Sequence, residues 1–301
     1  MKSKKKIVLL GGDQRHGTAA KALWSMGWDL TIWGQDRSDW KEDGMPQVSE
    51  WKTAVGEADA LVLPLPVSMD GIYLNSPLAP TDVRLSLKEI FSACPCRCAV
   101  IGGRIPKEAV AFAESLGLRV FDYFDSEPFQ IHNAYTTAEA ALSIAMNRLE
   151  RNLRGSRIAV TGFGRIAKHL VGLLIPIGAK VTVAARKAED LAWAASLGCE
   201  ALSLGEAREE TLSKLCHGYD VIYNTVPHWL FDRSFLEKMD EETFLIDLAS
   251  VPGGVDICAA KELGINVLWA TSLPGKYAPL SAGELIADCV SGILQREVAE
   301  R

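Results

Sequence analysis

The chain has 301 residues, 48% hydrophobic and 23% charged, with a formal net charge of −6. Such a length accommodates about two domains, and the composition is that of an ordinary soluble globular protein. The acidic balance argues against a nucleic-acid footprint, and no apolar run approaches the ~18 residues of a membrane span. Seven cysteines, odd in number and mostly scattered, fit a reducing cytoplasm.

The Lys2–Lys6 cluster precedes only four apolar residues before Gly11-Gly12-Asp13, so it reads as the lead-in to a strand and not as a secretion signal. Residues 6–10 predict a buried strand, followed by the turn Gly11-Gly12-Asp13-Gln14-Arg15-His16, a helix from about Thr18 to Met26, and a second strand over 29–33. The pattern G-G-D-x-R is not a dinucleotide fingerprint, because Asp13 sets a negative charge where a pyrophosphate would lie. The first half therefore reads as a flavodoxin-like or degenerate Rossmann unit that faces substrate. Arg15, at a strand's carboxyl edge, is a candidate carboxylate ligand, with a structural role as the alternative.

Short apolar strands follow at 58–64 and 98–103, with a loop over 69–80 between them, then a helix over 106–116 and a strand over 118–121. Cys94-Pro-Cys96-Arg-Cys98 lacks the spacing and fourth ligand of a usual zinc site. It runs into a β-run, whose alternation would aim all three thiols at one face, and no metal is expected. Residues 122–130, acidic and aromatic, read as the approach to an interdomain crossing. Thr136 and Glu139 have the T-x-x-E form of a capping box and predict a helix from there to about Leu153. Asn133 and Thr136, at that positively polarised end, are candidate contacts for an anion.

The β-run Ile158–Thr161, the turn Gly162-Phe163-Gly164-Arg165-Ile166-Ala167, an amphipathic segment to Ile177 and a β-run over 180–184 form the strand–turn–helix–strand frame of a dinucleotide site. Gly162 permits the tight turn, Gly164 lets backbone N–H groups approach a pyrophosphate, and Ala167 keeps the helix close to the strand. Phe163, Arg165 and Ile166 complete this cofactor loop. Where NAD-binding folds place an acidic residue, about 20 residues on, stand Arg186 and Lys187, so NADP(H) is expected in preference to NAD(H). Strands over 221–223, 243–247 and 266–269 each end in a polar turn. Asn224-Thr225-Val226-Pro227 and Leu248-Ala249-Ser250 are expected to border the nicotinamide, with Asp247 and Ser250 mainly holding their loop. Residues 281–298 predict a final helix.

The fold class expected is α/β, with two Rossmann-like doubly wound parallel-sheet domains joined by crossing helices. Residues 1–135 plus the helix 281–301 make the flavodoxin-like substrate domain, and 136–280 the NADP-binding domain.

Gly11-Gly12-Asp13-x-Arg15, Asn133-x-x-Thr136-x-x-Glu139, Gly162-x-Gly164-Arg165, Asp247-Leu-Ala-Ser250-x-Pro-Gly-Gly254-x-Asp256 and Leu273-Pro-Gly275-x-x-Ala-Pro279-x-x-Ala-Gly283 recur in this order. Together they resemble, over nearly the whole chain, the family of the larger, A-type subunit of dipicolinate synthase from endospore-forming bacteria. The resemblance implies oxidation of a dihydropyridine-2,6-dicarboxylate to pyridine-2,6-dicarboxylate during sporulation. It also implies the smaller, flavoprotein-like B-type subunit of dipicolinate synthase as partner and the mother-cell cytoplasm as the location. Self-association into a homo-oligomer is compatible with it. On this reading Arg15 and Lys276, and more weakly Arg104, are candidates to grip the two carboxylates. His228, His16 or His132 is a candidate proton acceptor, unless the proton passes to water. Two other classes stay open: another NAD(P)-dependent dehydrogenase of hydroxy or amino acids, and a cofactor-binding subunit without catalysis.

Overall fold

The computed structural model describes residues 5–38 and 44–299. The chain divides into two compact units, one running to Asn133 and resuming at Gly275, the other Ala134–Pro274. The first unit alternates strand and helix: β1 (Lys6–Leu10), α1 (Gln14–Ser25), β2 (Asp29–Trp33), α2 (Trp51–Gly56), β3 (Ala60–Val62), α3 (Leu87–Ala93), β4 (Ala99–Gly102), α4 (Lys107–Ser115) and β5 (Arg119–Asp122). Its five parallel strands stand in the order β2-β1-β3-β4-β5, the flavodoxin-like order, with its switch point between β1 and β3. The β1 side chains Ile7 to Leu10 are all buried, as an apolar run covered on both faces requires.

Helix α5 (Glu127–Arg148) carries the chain from the first unit to the second. The expected start at Thr136 is not observed. Glu127 and Pro128 open the helix nine residues earlier, because a proline in the first turn has no N–H to lose and its φ is already helical. Asn133, Thr136 and Glu139 therefore lie in a helix interior, and no helix N-terminus presents Asn133 and Thr136 to an anion. The other end is also shorter than expected, stopping at Arg148.

The second unit contains β6 (Arg157–Thr161), α6 (Arg165–Ile177), β7 (Lys180–Ala185), α7 (Ala188–Ser196), β8 (Glu200–Ser203), α8 (Arg208–Leu215), β9 (Val221–Asn224), α9 (Arg233–Leu236), β10 (Phe244–Asp247), α10 (Ile257–Leu263) and β11 (Val267–Trp269). Its six parallel strands stand in the order β8-β7-β6-β9-β10-β11. This is the doubly wound order 3-2-1-4-5-6, which reverses direction between β6 and β9. Ile158, Val160, Val183 and Tyr223 meet α6 and the second half of α5 in one core, and Ala159, Ile222 and Leu245 face α8–α10 in another.

The segment expected to be a polar loop, 273–277, is a short helix, α11 (Leu273–Tyr277), followed by α12 (Pro279–Ala299). Ile286, Val290, Ile293 and Leu294 recur at helical spacing and fill the first unit's core beside Leu23 and Ala19 of α1. Fully burying side chains of this size stabilises the unit by about 1.5–3 kcal/mol each.

Only two of the three cysteines meet: the Cys98 thiol lies within hydrogen-bond reach of Cys94, and Cys96 is exposed. Cys94 is the C-cap of α3, Cys98 is buried, and Arg97 between them has φ +68°. That left-handed residue breaks the alternation expected of a strand, which begins only at Ala99.

Candidate functional site

The glycine turn sits at the carboxyl end of β6, beside the switch point. Gly162 has φ +84°, and a Cβ there would lie 2.5 Å from Thr225 Oγ1 and 3.1 Å from Val226 Cγ2. Two independent constraints thus demand glycine: the backbone conformation and the close approach of the β9 loop. Thr225 enforces that approach, donating from both its backbone N–H (3.0 Å) and Oγ1 (2.8 Å) to Thr161 O. Phe163 is buried and anchors the turn, and Ala167 is fully buried against the sheet. Gly164 is the N-cap of α6, supplies no side-chain cap, and a Cβ on it would meet nothing within 4 Å. The N-cap of α6 thus carries no side chain in front of the helix's positive end, as a phosphate site requires. Arg165 is exposed and Ile166 half-buried.

A buried polar chain braces the loops beyond β9 and β10. Thr161 Oγ1 donates to Asn224 Oδ1 (2.7 Å). Asn224 Nδ2 in turn donates to Asp247 Oδ1 (2.7 Å) and to Val226 O (3.1 Å). The carboxylate of Asp247, 1% exposed, also accepts from the backbone N–H groups of Ala249 (3.0 Å) and Gly254 (2.8 Å). Asn224 and Asp247 are therefore spent on their neighbours and fix the two loops. In those loops Thr225 and Val226 are half-buried, Pro227, His228 and Ser250 exposed, and Leu248 and Ala249 buried.

At the end of β7, Arg186 and Lys187 are both exposed. Lys187 is the N-cap of α7 and lies 3.5 Å from Glu189, while Arg186 forms no ion pair among the described residues. Two residues that carry no signal in the sequence, Arg208 and Trp229, meet nearby: Arg208 Nη2 donates to Trp229 O at 3.1 Å. No local motif marks that pair, which joins loops following different strands.

In the first unit, Asp13 is the N-cap of α1 and accepts from Arg15 N (3.0 Å), so the helix begins at Gln14 and not near Thr18. The Arg15 guanidinium is buried. Nε and Nη2 bond the Asp13 carboxylate at 2.8–3.1 Å, and Nη2 reaches Leu65 O at 2.5 Å. Nη1 makes no hydrogen bond among the described residues. The end of the chain packs onto this turn: a Cβ at Gly275 would lie 2.9 Å from Arg15 Nε, and one at Gly283 would lie 2.5 Å from Thr18 Cβ. Lys276, which follows Gly275 in the chain, is exposed. Arg104 instead covers the Phe124 ring, 4.3 Å from its centroid. His16 is 1% exposed, and its Nε2 has no hydrogen-bond partner. Burial lowers its pKa to about 4, outweighing the Asp13 charge that raises it, which makes it a neutral, weakly basic imidazole. Among the described residues, no group of three or more His, Cys, Asp or Glu side chains is placed to hold a metal ion, and no helix is long and apolar enough to cross a membrane.

A glycine turn at the switch point of a six-stranded doubly wound sheet is the frame in which dehydrogenases of the nicotinamide-dinucleotide class hold their cofactor. Comparison with known proteins agrees: residues 128–251 match the NAD-binding domain of D-isomer-specific 2-hydroxyacid dehydrogenases. The particular relationship is to the A-type subunit of dipicolinate synthase. Residues 6–124 match the family model for the N-terminal domain of that protein. The Bacillus subtilis dipicolinate synthase protein of this type is 26% identical over 295 residues, covering 98% of this chain and 97% of its own. The crystal structure of the corresponding dipicolinate synthase protein from Bacillus halodurans superposes with a TM-score of 0.85 at 26% identity, covering 96% and 97% of the two chains. A transhydrogenase from Sinorhizobium meliloti, 16% identical with a TM-score of 0.70 and covering 97% of this chain and 93% of its own, shares the fold. The likeness that the sequence motifs carry thus extends over the whole chain.

Proposed function

We propose that the protein oxidises a dihydropyridine-2,6-dicarboxylate to pyridine-2,6-dicarboxylate with NADP⁺, together with a second, smaller subunit, in the cytoplasm of the mother cell of a sporulating bacterium. The observation that carries this reading is the full-length likeness to the A-type subunit of dipicolinate synthase. The reaction removes a hydride and a proton and leaves an aromatic ring, so the protein's task is orientation and carboxylate recognition more than activation. When bound, the nicotinamide supplies the hydride acceptor.

The chain's own residues support the remaining roles. The N–H groups at the start of α6, with Gly162, Phe163, Gly164, Arg165 and Ile166, hold the pyrophosphate, and Arg186 and Lys187 hold the adenosine 2′-phosphate. Thr225, Val226 and Pro227, with Leu248, Ala249 and Ser250, border the nicotinamide end, and Asn224 positions them through Asp247. Arg15, oriented by Asp13 and Leu65 O, offers Nη1 to one substrate carboxylate, and Lys276 offers its ammonium to the other. Asn133 and Thr136, now within α5, contribute from a helix flank. The proton passes to His228 or to water.

The test mixes the protein, with and without the smaller subunit of dipicolinate synthase, with dihydrodipicolinate and NADP⁺ or NAD⁺, and follows the ultraviolet absorption of the pyridine dicarboxylate. Product is expected. Its absence in every combination retires the synthase reading, and dinucleotide binding without turnover leaves a cofactor-binding protein without catalysis.

A further inference from the structure

The sequence placed two cations, Arg186 and Lys187, at the adenosine end of the dinucleotide site. The structure adds a third from a different loop. In the order β8-β7-β6-β9, strands β8 and β9 are three positions apart, yet the loops that follow them meet. Arg208, the first residue of α8, donates from Nη2 to Trp229 O at 3.1 Å. On its other side the β8 loop lies against β7: Leu204 N donates to Ala185 O at 2.9 Å, and a Cβ at Gly205 would lie 3.1 Å from Arg186 O. The carboxyl ends of β7, β8 and β9 thus form one continuous rim, with Arg186 and Arg208 on it.

Two helix starts on that rim carry a positive residue, Lys187 and Arg208. A helix start favours anions, and α9 and α10 comply: Asp232 and Asp256 cap them, accepting from Phe235 N (3.0 Å) and Ala259 N (2.9 Å). Helices α7 and α8 have no side-chain cap; Lys187 stands at the N-cap of α7 and Arg208 opens α8, each ahead of two acidic first-turn residues, Glu189 and Asp190 in α7 and Glu209 and Glu210 in α8. Two other exposed arginines of this unit pair with carboxylates, Arg233 with Glu262 and Arg151 with Asp220. Arg186 and Arg208 have no carboxylate partner among the described residues. One hydrogen bond to Trp229 O uses one of the five guanidinium N–H groups of Arg208 and leaves the fork available to a phosphate.

We infer that Arg208 is a second ligand of the adenosine 2′-phosphate, acting with Arg186 across the β7–β8 edge, and hence a specificity-determining residue for NADP over NAD. The inference rests on the NADP reading proposed above. Its test titrates the full chain with 2′,5′-ADP and with 5′-AMP by calorimetry, for the wild type and for Arg208→Ala, Arg208→Lys and Arg208→Gln. The glutamine amide can still donate to Trp229 O, which keeps the loop closed if the alanine variant unfolds.

The wild type is expected to bind 2′,5′-ADP more tightly than 5′-AMP. Arg208→Ala and Arg208→Gln should lose about tenfold or more on 2′,5′-ADP, the scale of one charge-assisted hydrogen bond, and less than twofold on 5′-AMP. Arg208→Lys should recover part of the loss. If the wild type shows no preference for 2′,5′-ADP, the NADP reading fails and takes this inference with it. If the preference is present and the variants change it by less than twofold, or weaken both ligands equally, the NADP reading stands and the role of Arg208 is overturned.

Discussion

Two glycines of α12 predict opposite responses to the same substitution. At Gly283 a Cβ would stand 2.5 Å from Thr18 Cβ and 2.9 Å from Thr18 Cγ2, and it would press on the Arg15 backbone carbonyl. Ordinary van der Waals contact between such atoms needs 3.4–4 Å, so α1 and α12 must separate by about 1 Å, and neither obstacle is the end of a flexible chain. Overpacking of this kind costs about 1–3 kcal/mol, against about 0.8–1 kcal/mol gained from the better helix propensity of alanine. Gly283→Ala should therefore destabilise the first unit by up to about 2 kcal/mol net. Gly292 lies two and a half turns further on and would meet only Arg296 Nη1, at 3.8 Å. Gly292→Ala should keep the propensity gain and stabilise by about 0.5–1 kcal/mol. Urea unfolding followed by circular dichroism measures both. A Gly283→Ala protein stabilised as much as Gly292→Ala, or a Gly292→Ala protein destabilised as much as Gly283→Ala, would refute the packing argument.

The other predictions concern the remaining glycines and the buried histidine. Gly164→Ala should leave the unfolding midpoint within about 0.5 kcal/mol but weaken dinucleotide binding, because its Cβ meets no protein atom and would occupy the space before α6; unchanged affinity by calorimetry counts against the phosphate site. Gly162→Ala should instead destabilise by about 1–3 kcal/mol, since φ is +84° and Thr225 stands 2.5 Å away, and a neutral result would show that the β9 loop yields. His16 has a pKa of about 4 in the folded chain against 6.5 unperturbed, so the unfolded state takes up the proton first. Stability is thus full above pH 6.5 and falls as pH drops towards 4, by about 1.4 kcal/mol per pH unit within that window. Urea midpoints at pH 7.5 and 5.5 should show the slope in wild type and its absence in His16→Gln; equal slopes would assign it to other groups.

The signals that sequence carries well are local. The βα turns at Gly11-Gly12 and at Gly162–Gly164 were legible because a buried strand, a glycine and a helical stretch adjoin in the chain, and the two parallel sheets follow from the repeated apolar strands. The short elements were less legible. Edge strand β8 has one buried residue, Leu202, and two half-buried ones, so it gives neither a solid apolar run nor a clean alternation. The capping box at Thr136 failed for a related reason. Its residue types fit a helix start, but Pro128 had already started the helix, and residues within a helix interior need no cap.

By itself the sequence marked Gly162 and Gly164 as the turn of a dinucleotide-binding unit and set two positive charges, Arg186 and Lys187, at the end of the next strand. Both are properties of a few consecutive residues and the backbone they allow. Only the tertiary structure decided how those segments combine. Arg15 proves to be locked to Asp13 and Leu65 and covered by Gly275 from the opposite end of the chain. Asn224 and Asp247, read from two separate turns, prove to be one buried hydrogen-bonded pair. Arg208, silent in the sequence, meets Trp229 because the β8 and β9 loops converge above the sheet edge. The physical reason is the same in each case: a hydrogen bond or a close packing contact depends on distance in space, and residues far apart in the chain acquire that distance only when the sheet order brings their loops to the same edge.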